Sequence, residues 1–276
     1  MGPVHLLTID LGGVRFRMNI DNASTVYSSD FFSGQVDGSA SSAAVIVPLV
    51  MSVLAVKSVI DVGCGVAPWA AEFMTEGVPE VFGIDGDYVD RSQLRIPPDR
   101  FLPRDLTKSI RLNRTFDLAV CLEVGEHLPE WRADGFVGDL ISLAPCILFS
   151  AAVPGQGGAN HINEQYMPYW VDLFQRRGYQ GVDPIRPWIL GNDSVEWFYQ
   201  QNTVMFVNER HALLARNFPK AQSIIHQKLY DLTRTGKRLT PKMLLSNFPG
   251  VVSRSFCYHL GLASKRPASP TVRNTT

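Results

Sequence analysis

Val59-Ile60-Asp61-Val62-Gly63-Cys64-Gly65-Val66-Ala67 runs from an apolar stretch straight into a glycine-rich turn. Ser58 to Val62 reads as a short buried strand closed by glycines, and Trp69 to Glu76 as a helix that Gly77 ends. Gly63 and Gly65 let the backbone come close to a ligand, with the helix N-terminus behind them. About twenty residues on, Val81 to Ile84 reads as a second strand, closing in Gly83-Ile84-Asp85-Gly86. A carboxylate at that strand end is placed to hold the two hydroxyls of a ribose. The turn and the acid together predict a nucleoside-containing ligand at the carboxyl ends of two adjacent strands. A nicotinamide dinucleotide fits poorly. Its fingerprint needs a small residue at the last position of G-x-G-x-x-G/A, and here Pro68 stands there.

Strand and helix patterns alternate outward from this turn. Phe116 to Leu122 and Cys146 to Ala151 read as further strands, and Gly181 to Ile185 and Thr203 to Val207 as the last two. Helices are expected over Ser41 to Val56, Phe136 to Leu143 and Tyr166 to Arg177, the last ended by Gly178. Such alternation argues an α/β, doubly wound, mostly parallel sheet covered on both faces. Ahead of it, His5 to Asp10 and Val14 to Asn19 read as a hairpin turning at Gly12-Gly13. Residues 22 to 42 are a Ser-, Asp- and Gly-rich lead-in.

The 276 residues, 45% hydrophobic and 19% charged, suit one globular domain with an extension. The apolar run Ala43 to Val56 is too short for a membrane span and is interrupted by Pro48 and Ser52. No signal peptide is read at the N-terminus. Cys64, Cys121, Cys146 and Cys257 are scattered without a CxxC pair, which predicts reduced thiols and a cytoplasmic location. The formal net charge of zero hides an asymmetry. Residues 208 to 276 hold twelve of the 26 basic residues and only two of the 26 acidic ones. There Met243, Leu244, Leu245, Phe248, Val251, Val252 and Phe256 cluster among the basic residues. That pattern fits either a helical cap or an amphipathic element touching a membrane or another anionic surface.

The Gly63 turn resembles the first motif of the class I S-adenosylmethionine-dependent methyltransferases, D/E-x-G-x-G-x-G, with Ala67 in place of the last glycine. The resemblance continues in order along the chain. Asp105 in Phe101-Leu102-Pro103-Arg104-Asp105-Leu106 matches the family's acid after the third strand, which contacts the adenine amino group. Phe116 to Leu128 ends in Glu123-Val124-Gly125-Glu126-His127-Leu128, similar to the E-V-x-E-H-L of one branch. The resemblance implies S-adenosylmethionine as cofactor, held by Asp61, Gly63, Gly65, Asp85, Gly86, Asp105, Leu106 and Glu123. It implies a seven-stranded Rossmann-like sheet over residues 41–207, preceded by the hairpin and lead-in of 1–40. A basic helical extension over 208–263 and a disordered tail over 264–276 complete the expected organisation.

The acceptor side is less constrained. The loop Val153 to Glu164 is expected to leave the sheet at the same carboxyl edge as the cofactor, and it carries His161, a residue suited to taking a proton from a hydroxyl. His161, His127 and Glu126 are therefore the expected catalytic residues. The Gly157-Gly158 pair suggests a loop that moves. No residue is assigned to a metal at first choice. The alternative is a divalent ion held by Glu123, Glu126, His127 and His161, as the resemblance to metal-dependent 2′-O-methyltransferases and ubiquinone-pathway O-methyltransferases implies. The expected acceptor is a small-molecule or glycan hydroxyl, with Trp188 and Trp197 as a possible wall for it. RNA 2′-O-methylation is the alternative, disfavoured because residues 1–207 are net acidic and would repel a polyanion. A non-catalytic cofactor-binding module is a third reading.

Overall fold

The computed structural model of the chain describes residues 6–11, 14–19 and 29–234. It divides at Tyr230 into two units. The described part of the second is residues 231–234, the last turn of the final helix.

The first unit opens with a two-stranded antiparallel sheet, β1 (Leu6–Leu11) and β2 (Val14–Asn19). The glycine pair expected to turn this hairpin lies outside the described residues. Helix α1 follows (Ser29–Val53), and then the alternation begins: β3 (Ser58–Val62), α2 (Pro68–Thr75), β4 (Glu80–Asp85) and β5 (Phe101–Pro103). The second half is β6 (Leu118–Leu122), α3 (Glu130–Leu143), β7 (Cys146–Ser150), α4 (Met167–Gln175) and β8 (Gln180–Val182). Helices α5 (Arg186–Ile189) and α6 (Trp197–Asn202) lead into β9 (Val204–Val207), and α7 (Ala212–Asn217) and α8 (Gln227–Arg234) come last.

The seven strands of the main sheet lie in the order β5-β4-β3-β6-β7-β9-β8. Pairs from β5 through β7 are parallel, and β9 runs antiparallel to both neighbours. The order reverses between β3 and β6, so a crevice opens beyond their carboxyl ends. Every residue of β6, β7 and β9 is buried, as expected for strands covered on both faces. Two apolar clusters sandwich the sheet, one around Val59, Trp69 and Phe73 and the other around Ile60, Phe136 and Trp170.

Helix α1 departs from the sequence reading. It starts at Ser29, twelve residues before the expected Ser41, so the expected domain boundary at residue 41 falls inside it, and it ends at Val53 instead of Val56. Serines and glycines are poor helix formers, which is why residues 29–40 read as a lead-in. A tertiary contact holds the end of that stretch: the Ser39 and Tyr199 hydroxyls pair at 3.1 Å, and just beyond it the Ser41 hydroxyl donates to the Ser194 carbonyl at 2.6 Å and the Glu196 N–H donates to the Ser42 hydroxyl at 2.9 Å. Helix α3 likewise begins at Glu130, ahead of the expected Phe136. Cys64, Cys121 and Cys146 are buried free thiols, and Cys257 lies outside the described residues. So do the apolar cluster of 243–256 and the tail of 264–276. Among the described residues, no helix is long and apolar enough to cross a membrane.

Candidate functional site

A cavity of about 950 Å³ opens at the switch point beyond β3, β4 and β6. The turn after β3 forms its floor. The Gly63 and Cys64 N–H groups both donate to the Ile84 carbonyl, at 2.7 and 3.1 Å, which pins the turn to the end of β4. Gly63 (φ 80°), Gly65 (φ 54°) and Ala67 (φ 64°) all adopt left-handed backbone. At Gly63 a Cβ would stand 2.4 Å from a methyl of Val124, so this position needs glycine for both conformation and space. Gly63→Ala should cost about 2 to 3 kcal/mol in a denaturant melt, from left-handed strain plus overpacking. A loss under half a kcal/mol would show that the turn yields.

Asp61 is buried, with one carboxylate oxygen that has no hydrogen-bond partner. Burial, the main cause, lifts its pKa to about 8, the nearby Asp85 adds to the rise, and the Ala70 N–H opposes it. The folded value thus lies above the ordinary carboxylate value. The associated stability is fully present below about pH 4 and is lost as pH rises towards 8. Asp61→Asn should flatten that slope in melts run from pH 4 to 9; an unaltered slope would place the ionisation elsewhere.

Asp85 sits at the end of β4 as the sequence predicts, and its carboxylate is already occupied. Oδ2 accepts from the Gly65 N–H at 2.7 Å; Oδ1 accepts from the Gly86 N–H at 2.6 Å and the Tyr88 hydroxyl at 2.5 Å. The Tyr88 ring lies across Gly86, where an added Cβ would meet it at 2.1 Å. Beyond β5, Arg104, Asp105, Leu106 and Thr107 close the far end of the cavity. The Asp105 carboxylate accepts from the Thr107 N–H at 3.0 Å and hydroxyl at 2.6 Å, and pairs with Lys108 at 3.2 Å. Its pKa is lowered, by Thr107 first and then Lys108.

At the other end, Glu123 and His127 line the cavity, joined by Ser39, Trp69 and Tyr199, which sequence reasoning did not single out. Trp188 and Trp197, the expected acceptor wall, are not among the lining residues, and Trp188 is exposed. Tyr199 is reached only because α6 folds back against α1, a contact no local pattern signals.

Three of the four acceptor-side candidates converge. Donor atoms of Glu126, His127 and His161 all lie within 4.8 Å of one another. Glu126 is 0% exposed, and neither of its carboxylate oxygens has a hydrogen-bond partner; nor does His127 Nδ1. Burial first, then the charge of Glu123, pushes the Glu126 pKa well up. Burial first, then the charge of His161, holds the His127 imidazole at about 4. His161 Nδ1 lies 3.2 Å from Glu164, and its Nε2 faces Glu126 at 4.0 Å. Glu164 also accepts from the Gly155 and Gly157 N–H groups, each at 2.8 Å, so one carboxylate shapes the loop and orients the imidazole. Gly158, expected as part of a moving loop, has another role: a Cβ there would stand 2.3 Å from His161 Nε2.

Glu123 is not one of the three converging donors, although its charge acts on Glu126. It adopts left-handed backbone (φ 55°), and its carboxylate accepts from Gln156 Nε2 at 2.7 Å and Asn202 Nδ2 at 3.1 Å. Burial raises its pKa against those donors.

Residues 45–143 match the family described as methyltransferase domain. No curated protein matches the chain. Among solved structures, the magnesium protoporphyrin IX methyltransferase of Synechocystis PCC 6803 with bound S-adenosylmethionine is 18% identical, with a TM-score of 0.47 over 66% of this chain and 86% of that one. DesVI of Streptomyces venezuelae is 14% identical, with a TM-score of 0.49 over 64% of this chain and 95% of that one. An O-methyltransferase family protein from Burkholderia thailandensis is 11% identical, with a TM-score of 0.48 over 65% and 57%. At these scores the likenesses say nothing about the acceptor. The matched span carries the glycine turn, Asp85, Asp105 and the Glu126-His127 turn, so this part of the chain is similar to a methyltransferase domain.

Proposed function

We propose that the chain moves the methyl group of S-adenosylmethionine onto a hydroxyl of a small molecule or glycan, beside Glu126, His127 and His161. The observation that carries this reading is Glu126, a fully buried carboxylate whose two oxygens lack partners. Buried carboxylates are ordinarily paired or ligating, so this one awaits something that binds there. The donor set suits a divalent cation. Glu126, His127 and His161 would hold it, with Glu164 orienting His161 from behind. Mixed oxygen and nitrogen donors admit Mg²⁺, Mn²⁺ or Zn²⁺. When bound, such an ion lowers the pKa of an acceptor oxygen.

The chain's own residues account for the rest. The cavity holds the adenosine between Asp85 and the Asp105 loop and leads toward Glu123 and His127. The acceptor oxygen attacks the sulfonium methyl; the new C–O bond forms as the C–S bond breaks, and S-adenosylhomocysteine leaves. The hydroxyl proton passes to a nearby base. With its pKa held at about 4, His127 is a poor proton acceptor, and His161 takes that role only where no cation occupies it. Positioning and the exclusion of water supply most of the rate.

The test is incubation of a metabolite extract with the protein and methyl-labelled cofactor, followed by identification of the labelled product. The expected product is a labelled O-methyl ether or ester. Protein that binds the cofactor yet labels nothing in any fraction would be a binding module.

A further inference from the structure

Residues 104–117, which carry the far end of the cavity, form neither helix nor strand. No ladder fixes such a segment, yet the cofactor needs it in one shape. The contacts that fix it come from α3. Arg132 is buried, and its Nε donates to the Leu106 carbonyl at 3.1 Å. Its Nη2 donates to the Lys108 carbonyl at 2.7 Å and also pairs with Asp139, two turns further along the helix. Asp139 in turn accepts from the Ile110 N–H at 2.9 Å and the Ser109 hydroxyl at 3.0 Å. One ion pair therefore holds positions 106, 108, 109 and 110.

The contact at Leu106 matters most. The peptide unit between Leu106 and Thr107 is gripped from both ends: Arg132 takes its carbonyl, and the Asp105 carboxylate takes its N–H. Rotation of that peptide would break both bonds together. The rotamer of Asp105, a cavity-lining residue, is thus tied to a guanidinium on another element. A buried ion pair is often no more stabilising than apolar residues of the same size, so stability alone does not account for this one. The planar guanidinium adds donors in fixed directions, which a lysine cannot supply.

We infer that Arg132, seated by Asp139, is a positioning residue for the adenine end of the cofactor site, setting the peptide and the carboxylate that read the base. The inference rests on the reading of Asp105 as the acceptor for the adenine amino group. A carboxylate held there accepts from an exocyclic amino group and repels the carbonyl oxygen of hypoxanthine. Arg132 therefore acts on base discrimination and not merely on affinity.

The experiment measures binding of S-adenosylhomocysteine and S-inosylhomocysteine by calorimetry. It compares the wild type, Arg132→Met, Arg132→Lys, Asp139→Asn and a destabilised control, Val207→Ala, whose buried side chain lies on β9 away from the loop. Wild type should prefer the adenine ligand. Arg132→Met should weaken that ligand at least tenfold and the hypoxanthine ligand little, so that the preference collapses. Arg132→Lys should fall between. Val207→Ala should lower the melting temperature and keep the preference. If Arg132→Met does not fold, Arg132→Lys and Asp139→Asn, which keep charge or volume, carry the same comparison. Folded variants that retain the wild-type preference, or lose both ligands equally, overturn the inference. Wild type that binds both ligands alike also overturns it, while leaving the cofactor assignment intact. Wild type that binds neither overturns the cofactor assignment and the inference together.

Discussion

Asp85→Ala should weaken S-adenosylhomocysteine binding by about 2 to 4 kcal/mol, roughly 30- to 700-fold, in a calorimetric titration. Two hydroxyls donating to a carboxylate would gain more than this if the carboxylate began unoccupied. It does not: the Gly65 and Gly86 N–H groups and the Tyr88 hydroxyl already donate to it. The backbone donors belong to the turn itself and can stay when a ribose binds. The Tyr88 hydroxyl is the one that a ribose hydroxyl would replace, since it is a side-chain donor on a residue that is 68% exposed. Binding thus exchanges one charge-assisted bond for two, and the net gain is the difference. The variant also releases the Gly65 N–H from Oδ2, which loosens the turn before any ligand arrives. Both effects act in the same direction. Equal affinities for the variant and wild type would remove Asp85 from the ribose site.

The glycine turn and the strand-end Asp85 that meet at the cavity were legible in the sequence because they depend on local chemistry. Gly63 and Gly65 are needed for left-handed backbone beside a strand end, and Asp85 is the last residue of the next strand. Neighbouring parallel strands, β3 and β4, bring these positions together without any further information. The acceptor half was legible only as a list of candidates. Glu126 and His127 share one turn, but His161 reaches them through a loop whose course is set by Glu164 and by the absence of a side chain at Gly158. Nothing in the spacing of these residues signals a distance. Tyr199 and Ser39 were invisible for a different reason. Each sits in a segment with weak propensity, and they meet across 160 residues only because α1 extends to Ser29. The same contact misplaced the start of α1, since a serine- and glycine-rich stretch carries no helical signal until its packing partner is known. Arg132 lies ahead of the expected helix start at Phe136, and its role depends on a loop with no pattern of its own.

Removal of divalent metal should abolish turnover, and Mg²⁺ or Mn²⁺ should restore it. Glu126→Ala and His161→Ala should then be equally damaging, each lowering turnover by roughly 100-fold or more, since losing an orienting group alone costs about 10- to 100-fold. The two carboxylate oxygens of Glu126 lack hydrogen-bond partners. Burial and the charge of Glu123 favour the protonated form of this carboxyl, which puts its pKa well above the ordinary range. A cation must displace that proton, so metal affinity should rise with pH and a proton should be released on binding, both measurable in a titration with Mn²⁺ in the absence of any acceptor. His127 needs no such preparation, since burial holds it neutral, and the Nε2 of His161 is turned toward Glu126 by the contact of Nδ1 with Glu164. Glu164→Gln should therefore weaken Mn²⁺ binding less than Glu126→Ala does, because it loosens a ligand without deleting one. The competing mechanism uses His161 as a base without metal, and it makes the opposite forecast on every count. Activity would survive excess chelator and Mn²⁺ would not bind, with Glu126→Ala less damaging than His161→Ala. Full turnover in chelator, with His161→Ala more damaging than Glu126→Ala, would leave His161 as the catalytic base.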